Sequence, residues 1–129
     1  MKKEFTKEDL QKFLQDTYKI AYSNIITVLH KRPRIICNDG FSASLQASAD
    51  HYCLPTENLE NGNYTKLEMT FLSEPEEELK PYANYYTQED DFDLKEVISF
   101  GYIPIDIIIK IINKHNGINY EETFKNYRR

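Results

Sequence analysis

"RIICNDGFSASLQASADHYC", residues 34–53, is the stretch on which the fold of this chain turns. Its first four residues read as a short strand. Asn38, Asp39 and Gly40 follow, residue types that tolerate the positive φ of a hairpin turn. After the turn, Phe41, Ala43, Leu45 and Ala47 alternate with Ser42, Ser44, Gln46 and Ser48. A period of two places small or apolar groups on one strand face and neutral hydrogen-bonding groups on the other.

Outward from the hairpin, residues 6–31, "TKEDLQKFLQDTYKIAYSNIITVLHK", predict a long helix. Thr6 is its N-cap, with Asp9 three residues later in a capping-box arrangement. Leu10, Phe13, Leu14, Tyr18, Ala21, Ile25, Val28 and Leu29 form one apolar stripe. Pro33 ends the helix. Beyond the hairpin, residues 54–63 read as a loop. "YTKLEMTFL", residues 64–72, predicts a strand with Leu67, Met69 and Phe71 facing the core. Ser73 before Pro75 and Glu76 reads as a helix start, making residues 75–86 a short acidic helix limited by Pro81. Residues 87–93 read as an acidic loop, and residues 94–104 contain a strand. Pro104 and Asp106 open a last helix, which Gly117 caps. The tail from Tyr120 is either helical or frayed.

This order predicts an α+β fold: a small antiparallel sheet of about four strands with a long N-terminal helix and a C-terminal helix. The 129 residues suit a single domain, with the helix in 1–33, an α+β core in 34–117 and a tail in 118–129. With helices on one sheet face only, the other, carrying Ser42, Ser44 and Gln46, is left for solvent, a ligand or another subunit.

The net charge of −5 is unevenly spread: +4 over residues 1–34, −11 over residues 35–94 and +2 over residues 95–129. An acidic middle argues against a broad DNA- or RNA-binding face, which needs clustered cations. It permits a local anion site, or a surface that imitates nucleic acid in a basic groove. No apolar run reaches the roughly 20 residues needed to cross a bilayer, and acidic residues follow Lys2 and Lys3 where a signal peptide is apolar. A cytoplasmic location is therefore expected. Cys37 and Cys53 are the only cysteines, too few for a disulfide framework.

Cys37, His51 and Cys53 are one ligand short of a closed zinc site, which His115 or an acidic residue would complete, but the spacing matches no familiar zinc pattern and nothing in the sequence requires that ligand. Catalysis by a Cys/His pair needs an activated thiol and an oxyanion hole, and no Gly-rich elbow is visible. The carboxylates of "EPEEE" and "EDDFD" come in runs, which read as solvated surface. Four scattered glycines supply no phosphate loop. No catalytic, metal or cofactor site is expected. Recognition remains. Arginines stand only at positions 32, 34, 128 and 129, and Arg34, entering the first strand, is placed to grip a phosphate bidentately. Tyr82, Tyr85, Tyr86, Phe100 and Tyr102 offer rings, either for stacking on a base or for the core.

Between Arg34 and Gly117 the chain carries "CNDGFSASLQAS", "HYCLP", "YTKLEMTFLSEPEEELKPYA" and "FGYIPIDIIIKIINKHNGI". In these motifs, over about two-thirds of its length, it resembles a family of small phage and prophage proteins, the first Thoeris anti-defence family. The resemblance implies a sponge that binds and sequesters a cyclic ADP-ribose isomer made by a bacterial TIR immune enzyme, without cleaving it. It also implies a homo-oligomer built from dimers, in the cytoplasm of an infected or lysogenic host cell, with no DNA, RNA or membrane partner. On this resemblance Arg34 is the phosphate-binding arginine, Tyr85 or Tyr86 the stacking ring, and Ser99 or Lys114 a later polar contact. The family has a basic residue after the "HYC-P" step where this chain has Thr56, so a phosphate contact there is lost or moved. Two rival expectations come from the residues themselves. The acidic middle suits an inhibitor that works by protein contact, in the manner of anti-CRISPR proteins, and Cys37 or His51 would serve a nucleotide-directed enzyme.

Overall fold

A computed structural model describes residues 4–23, 32–84 and 97–125 of the chain. Helix α1, Lys7–Ser23, begins at the expected capping box. The Thr6 amide donates to Asp9 Oδ2 at 2.9 Å, and the Asp9 amide donates to Thr6 Oγ1 at 3.2 Å. Leu10, Phe13 and Leu14 of its apolar stripe are buried. The part of the stripe at Ile25, Val28 and Leu29 lies outside the described residues.

Four strands follow: β1 (Ile35–Ile36), β2 (Ser42–Gln46), β3 (Lys66–Thr70) and β4 (Ser99–Pro104). They form one antiparallel sheet in chain order. The β1–β2 hairpin closes where the sequence places it, with Gly40 at φ +96° and the Cys37 amide 2.7 Å from the Phe41 carbonyl. Helix α2, Ile105–Lys114, packs against β3, β4 and α1. Helix α3, Tyr120–Phe124, is capped by Asn119 and packs against β1. The tail is therefore helical through Phe124. The fold is the expected α+β arrangement, with helices on one face of a four-stranded sheet.

The period-two reading of the strands sorts core from surface. Ile35, Ala43, Leu45, Leu67, Met69, Phe100 and Ile103 point into a common core with Ile108, Ile111 and Ile112 of α2. Each buried Leu or Ile contributes on the order of 1.5–3 kcal/mol. The loop of residues 54–63 is clamped to α1. Asn61 O accepts from Gln11 Nε2 and Gln15 Nε2 at 3.1 and 3.0 Å. Gly62 (φ +68°) lies so close to α1 that a Cβ there would sit 2.8 Å from the Gln11 carbonyl.

Three expectations need correction. Phe71 does not face the core: at φ +51° the chain turns as β3 ends, and the ring is 55% exposed. The segment after Ser73 is not an α-helix started by that residue. It is a 3-10 helix, Glu77–Tyr82, because Ser73 instead accepts from the Ser42 amide and Pro81 removes a donor. Gln46 and Ser48 are buried rather than free on the outer face. Arg32 covers Gln46: its amide donates to Gln46 Oε1 at 2.7 Å, and Gln46 Nε2 donates to the Arg32 carbonyl at 2.9 Å. The Arg32 side chain then runs inward, where Nε donates to Thr17 Oγ1, Nη2 to the Leu14 carbonyl and Nη1 to the Ala47 carbonyl. It is 2% exposed and bolts α1 to the end of β2.

Candidate functional site

The outer sheet face begins with the strand register. Ser44 stands opposite Thr70, and Thr70 opposite Ser99. Arg34, one residue before β1, lies at the other end of this row. Neighbouring strands are about 4.8 Å apart, so the row spans about 14 Å. All four residues are half-buried. Ile35, Ala43, Met69 and Phe100 beside them point inward, so these four point outward.

Hydrogen bonds give this face a common polarity. Arg34 Nε donates to Ser42 Oγ at 3.0 Å, and Nη2 donates to the carbonyls of Ser42 and Phe71. Those bonds fix the guanidinium and leave Nη1 without a hydrogen bond among the described residues. Partial burial lowers the Arg34 pKa, yet a guanidinium stays charged at any physiological pH. Ser42 Oγ thus accepts from Arg34, Ser44 Oγ accepts from Gln46 Nε2 at 2.9 Å, and Ser99 Oγ accepts from Asn84 Nδ2 at 2.9 Å. Each hydroxyl has one lone pair engaged and a rotatable proton that can be donated to a ligand. The face therefore offers several donors beside the Arg34 guanidinium.

At its β4 side the face becomes aromatic. Gly101 and Tyr102 together oppose the single Glu68, a bulge of one extra residue in β4. The bulge lets Phe100 and Ile103 both face the core while Tyr102 (φ +53°) turns out beside Tyr52. The two rings lie 5.8 Å apart, tilted by 45°, and both are exposed. Glu68 Oε2 accepts from the Tyr52 amide at 3.0 Å, and the Tyr102 amide donates to the Tyr52 carbonyl at 2.9 Å. Gly101 permits the approach, since a Cβ there would lie 2.7 Å from Tyr52 Cβ and 3.0 Å from Asn84 Nδ2. Gly101→Ala is expected to cost about 1–3 kcal/mol by overpacking and to reorient both rings. A melting curve and the near-ultraviolet tyrosine dichroism would register it; unchanged dichroism contradicts this account of the glycine.

The sequence-predicted residues divide accordingly. Arg34 and Ser99 share the donor row. Tyr85 and Tyr86 lie outside the described residues, which resume at Val97; Asn84, just before them, is beside Ser99. Phe100 is buried and Tyr82 half-buried, so of the rings proposed from sequence Tyr102 is the one exposed among the described residues. Tyr52, Thr70, Asn84 and Gly101 were not singled out from sequence. Only cross-strand register and the bulge bring them together.

Lys114 belongs to a different cluster, centred on His115. Its ammonium is 2.8 Å from Glu76 Oε2 and 3.7 Å from Glu78 Oε2. Those carboxylates raise its pKa. His115 Nδ1 pairs with Asp39 Oδ2 at 2.6 Å, Nε2 meets Glu76 Oε1, and Glu74 Oε1 is 3.7 Å from Nε2. The imidazole stacks on Phe41, centroids 4.1 Å apart. The "EPEEE" run is thus not uniform surface: Glu76 is 1% exposed.

Burial acts to lower the His115 pKa, but hydrogen bonds to Glu76 and Asp39 and their charges outweigh it, so the value is raised. For Asp39, burial acts upward and is outweighed by its bonds to Phe41 and His115, so the value is lowered. A raised histidine contributes stability fully below its unfolded pKa of about 6.5 and loses it as pH climbs through the folded value. The lowered Asp39 contributes above about 4 and loses it as pH falls. The protein is therefore expected to melt highest between these limits and progressively lower as pH rises above about 7. His115→Gln flattens the alkaline limb; an equally steep limb in that variant contradicts the assignment.

The cysteines are free and buried. Burial, then the charges of Asp39 and Glu76, push the Cys37 thiol up to about 12, and burial also raises Cys53. Cys53 Sγ faces the Ser48 carbonyl at 3.1 Å, and His51 Nδ1 faces Ser48 Oγ at 2.6 Å. Among the described residues Cys37, His51 and Cys53 do not converge on a shared metal position. No helix of the described residues is long and apolar enough to cross a membrane. No protein-family model, curated protein or solved structure matches the chain.

Proposed function

We propose that the protein is a binding protein that captures a small cyclic nucleotide, an isomer of cyclic ADP-ribose, and sequesters it without cleaving it. One observation carries the reading: Arg34 Nη1 and the hydroxyls of Ser42, Ser44 and Ser99 present donors across one sheet face, with exposed tyrosines at its β4 side. A pyrophosphate is rich in acceptors and has no donors, and charge-assisted bonds to it are the strong kind. A base stacked on Tyr52 or Tyr102 adds about 1–3 kcal/mol. Thiols held protonated by burial suit holding better than chemistry.

In this reading the protein is a phage-encoded anti-defence sponge of the TIR-derived signal, acting in the cytoplasm of the bacterial host cell as a homo-oligomer, with Tyr85 or Tyr86 as a further ring. Protein incubated with the signal, freed of unbound ligand and then heated is expected to return the signal intact. Recovery of breakdown products alone makes it an enzyme, and recovery of nothing removes the sponge. The rival, a nucleic-acid mimic that binds a basic protein, is less favoured. Glu76 and Glu78 of the acidic middle are already paired with Lys114, and its densest run, Glu89–Asp93, lies outside the described residues.

A further inference from the structure

We propose that Glu74, Glu76 and His115 form a site for one divalent transition-metal ion, remote in kind from the donor face and independent of its ligand. One imidazole nitrogen and two carboxylate oxygens, one from each residue, all lie within 4.8 Å of one another. An imidazole with carboxylates is a donor set suited to zinc, whose bonds to nitrogen and oxygen run about 2.0–2.2 Å. Two of the ligands are buried and prearranged, and Glu74, with its side chain 58% exposed, is the one with room to swing inward.

Two observations beyond the ligands point to a cation. Asp39 comes from the β1–β2 turn, 76 residues away in sequence, and holds His115 Nδ1 at 2.6 Å. That is the outer-shell carboxylate that orients a metal-bound histidine and directs its other nitrogen at the ion. Second, the Lys114 ammonium that meets Glu76 Oε2 at 2.8 Å also lies 3.7 Å from Glu78 Oε2, so one lysine is shared between two carboxylates. The four carboxylates of Asp39, Glu74, Glu76 and Glu78 meet Lys114 and His115, with Lys110 also acting on Glu78, so even with His115 protonated they outnumber these cations by four to three. Binding displaces the proton shared between His115 Nε2 and Glu76, and that proton leaves to solvent.

The test is a zinc titration of chelator-treated, full-length protein by calorimetry, with melting curves alongside. Wild type is expected to take up one zinc ion per chain and to melt higher in its presence. Glu74→Gln, at an exposed position that folding does not need, is expected to weaken binding at least tenfold, and Asp39→Asn about 10–100-fold. Calcium at equal concentration is expected not to compete. Absence of saturable zinc binding to folded wild type, or undiminished binding by Glu74→Gln, overturns the site; calcium binding of equal strength overturns its transition-metal character.

Discussion

Arg32→Ala is expected to leave little folded protein at 37 °C. The substitution strands the Ala47 carbonyl and removes one bond each from the Leu14 carbonyl and the Thr17 hydroxyl, which keep Thr17's own bonds to Phe13 and Leu14. The orphaned Ala47 carbonyl costs about 1–3 kcal/mol and the two further bonds to the charged guanidinium add to it, so the total is on the order of 4 kcal/mol before any cavity is counted. Domains of this kind have about 5–15 kcal/mol in hand. Arg32→Lys keeps a charge, but one ammonium cannot span three acceptors that a planar fork reaches at once, and an intermediate loss is expected. Thermal melts followed by far-ultraviolet dichroism decide it. A melting point for the alanine variant within about 2 °C of wild type would show that Arg32 is no bolt.

Arg34→Ala is expected to act on binding instead. The Arg34 side chain is half-buried and its bonds go to Ser42 and Phe71, so the cost in stability is about 1 kcal/mol. Loss of two charge-assisted bonds to a pyrophosphate, at about 1.5–3 kcal/mol each, corresponds to a fall in affinity of at least about 100-fold. Arg34→Lys retains the charge without the fork and should fall between. Titration calorimetry with the cyclic ADP-ribose isomer measures this. Affinity within tenfold of wild type in a folded alanine variant would place the ligand elsewhere. The two arginines, two residues apart, thus separate cleanly: one variant fails to fold, the other folds and fails to bind.

That contrast also measures what was legible in the chain. The capping box at Thr6, the hairpin at Gly40 and the alternation through β2 are local patterns, and each appears where its chemistry puts it. Arg32 and Arg34 look alike in sequence, since both follow the helix beside Pro33. Only the tertiary path turns one inward to Thr17 and the other outward to Ser42. Phe71 was misjudged because period-two counting assumes an extended chain, and the positive φ there breaks the count. The convergence of the cluster around His115 could not be read. Its members at positions 39, 74, 76 and 115 share no spacing rule, and a buried Glu76 looks the same in sequence as the exposed acids around it.

The extra residue in β4 limits how this chain can vary in length. Between Phe100 and Ile103 the strand spends three steps where β3, from Met69 back to Leu67, spends two. A deletion of one residue there would restore even pairing, a change most strands welcome. In this one it would erase the outward turn at Tyr102, and any compensating slip would exchange inward for outward residues along the rest of β4. Substitutions can reshape the aromatic end of the face gradually, ring for ring. Single-residue insertions and deletions at this place cannot, so lineages descended from this chain should keep Gly101, vary Tyr102 in identity and leave the number of residues here unchanged.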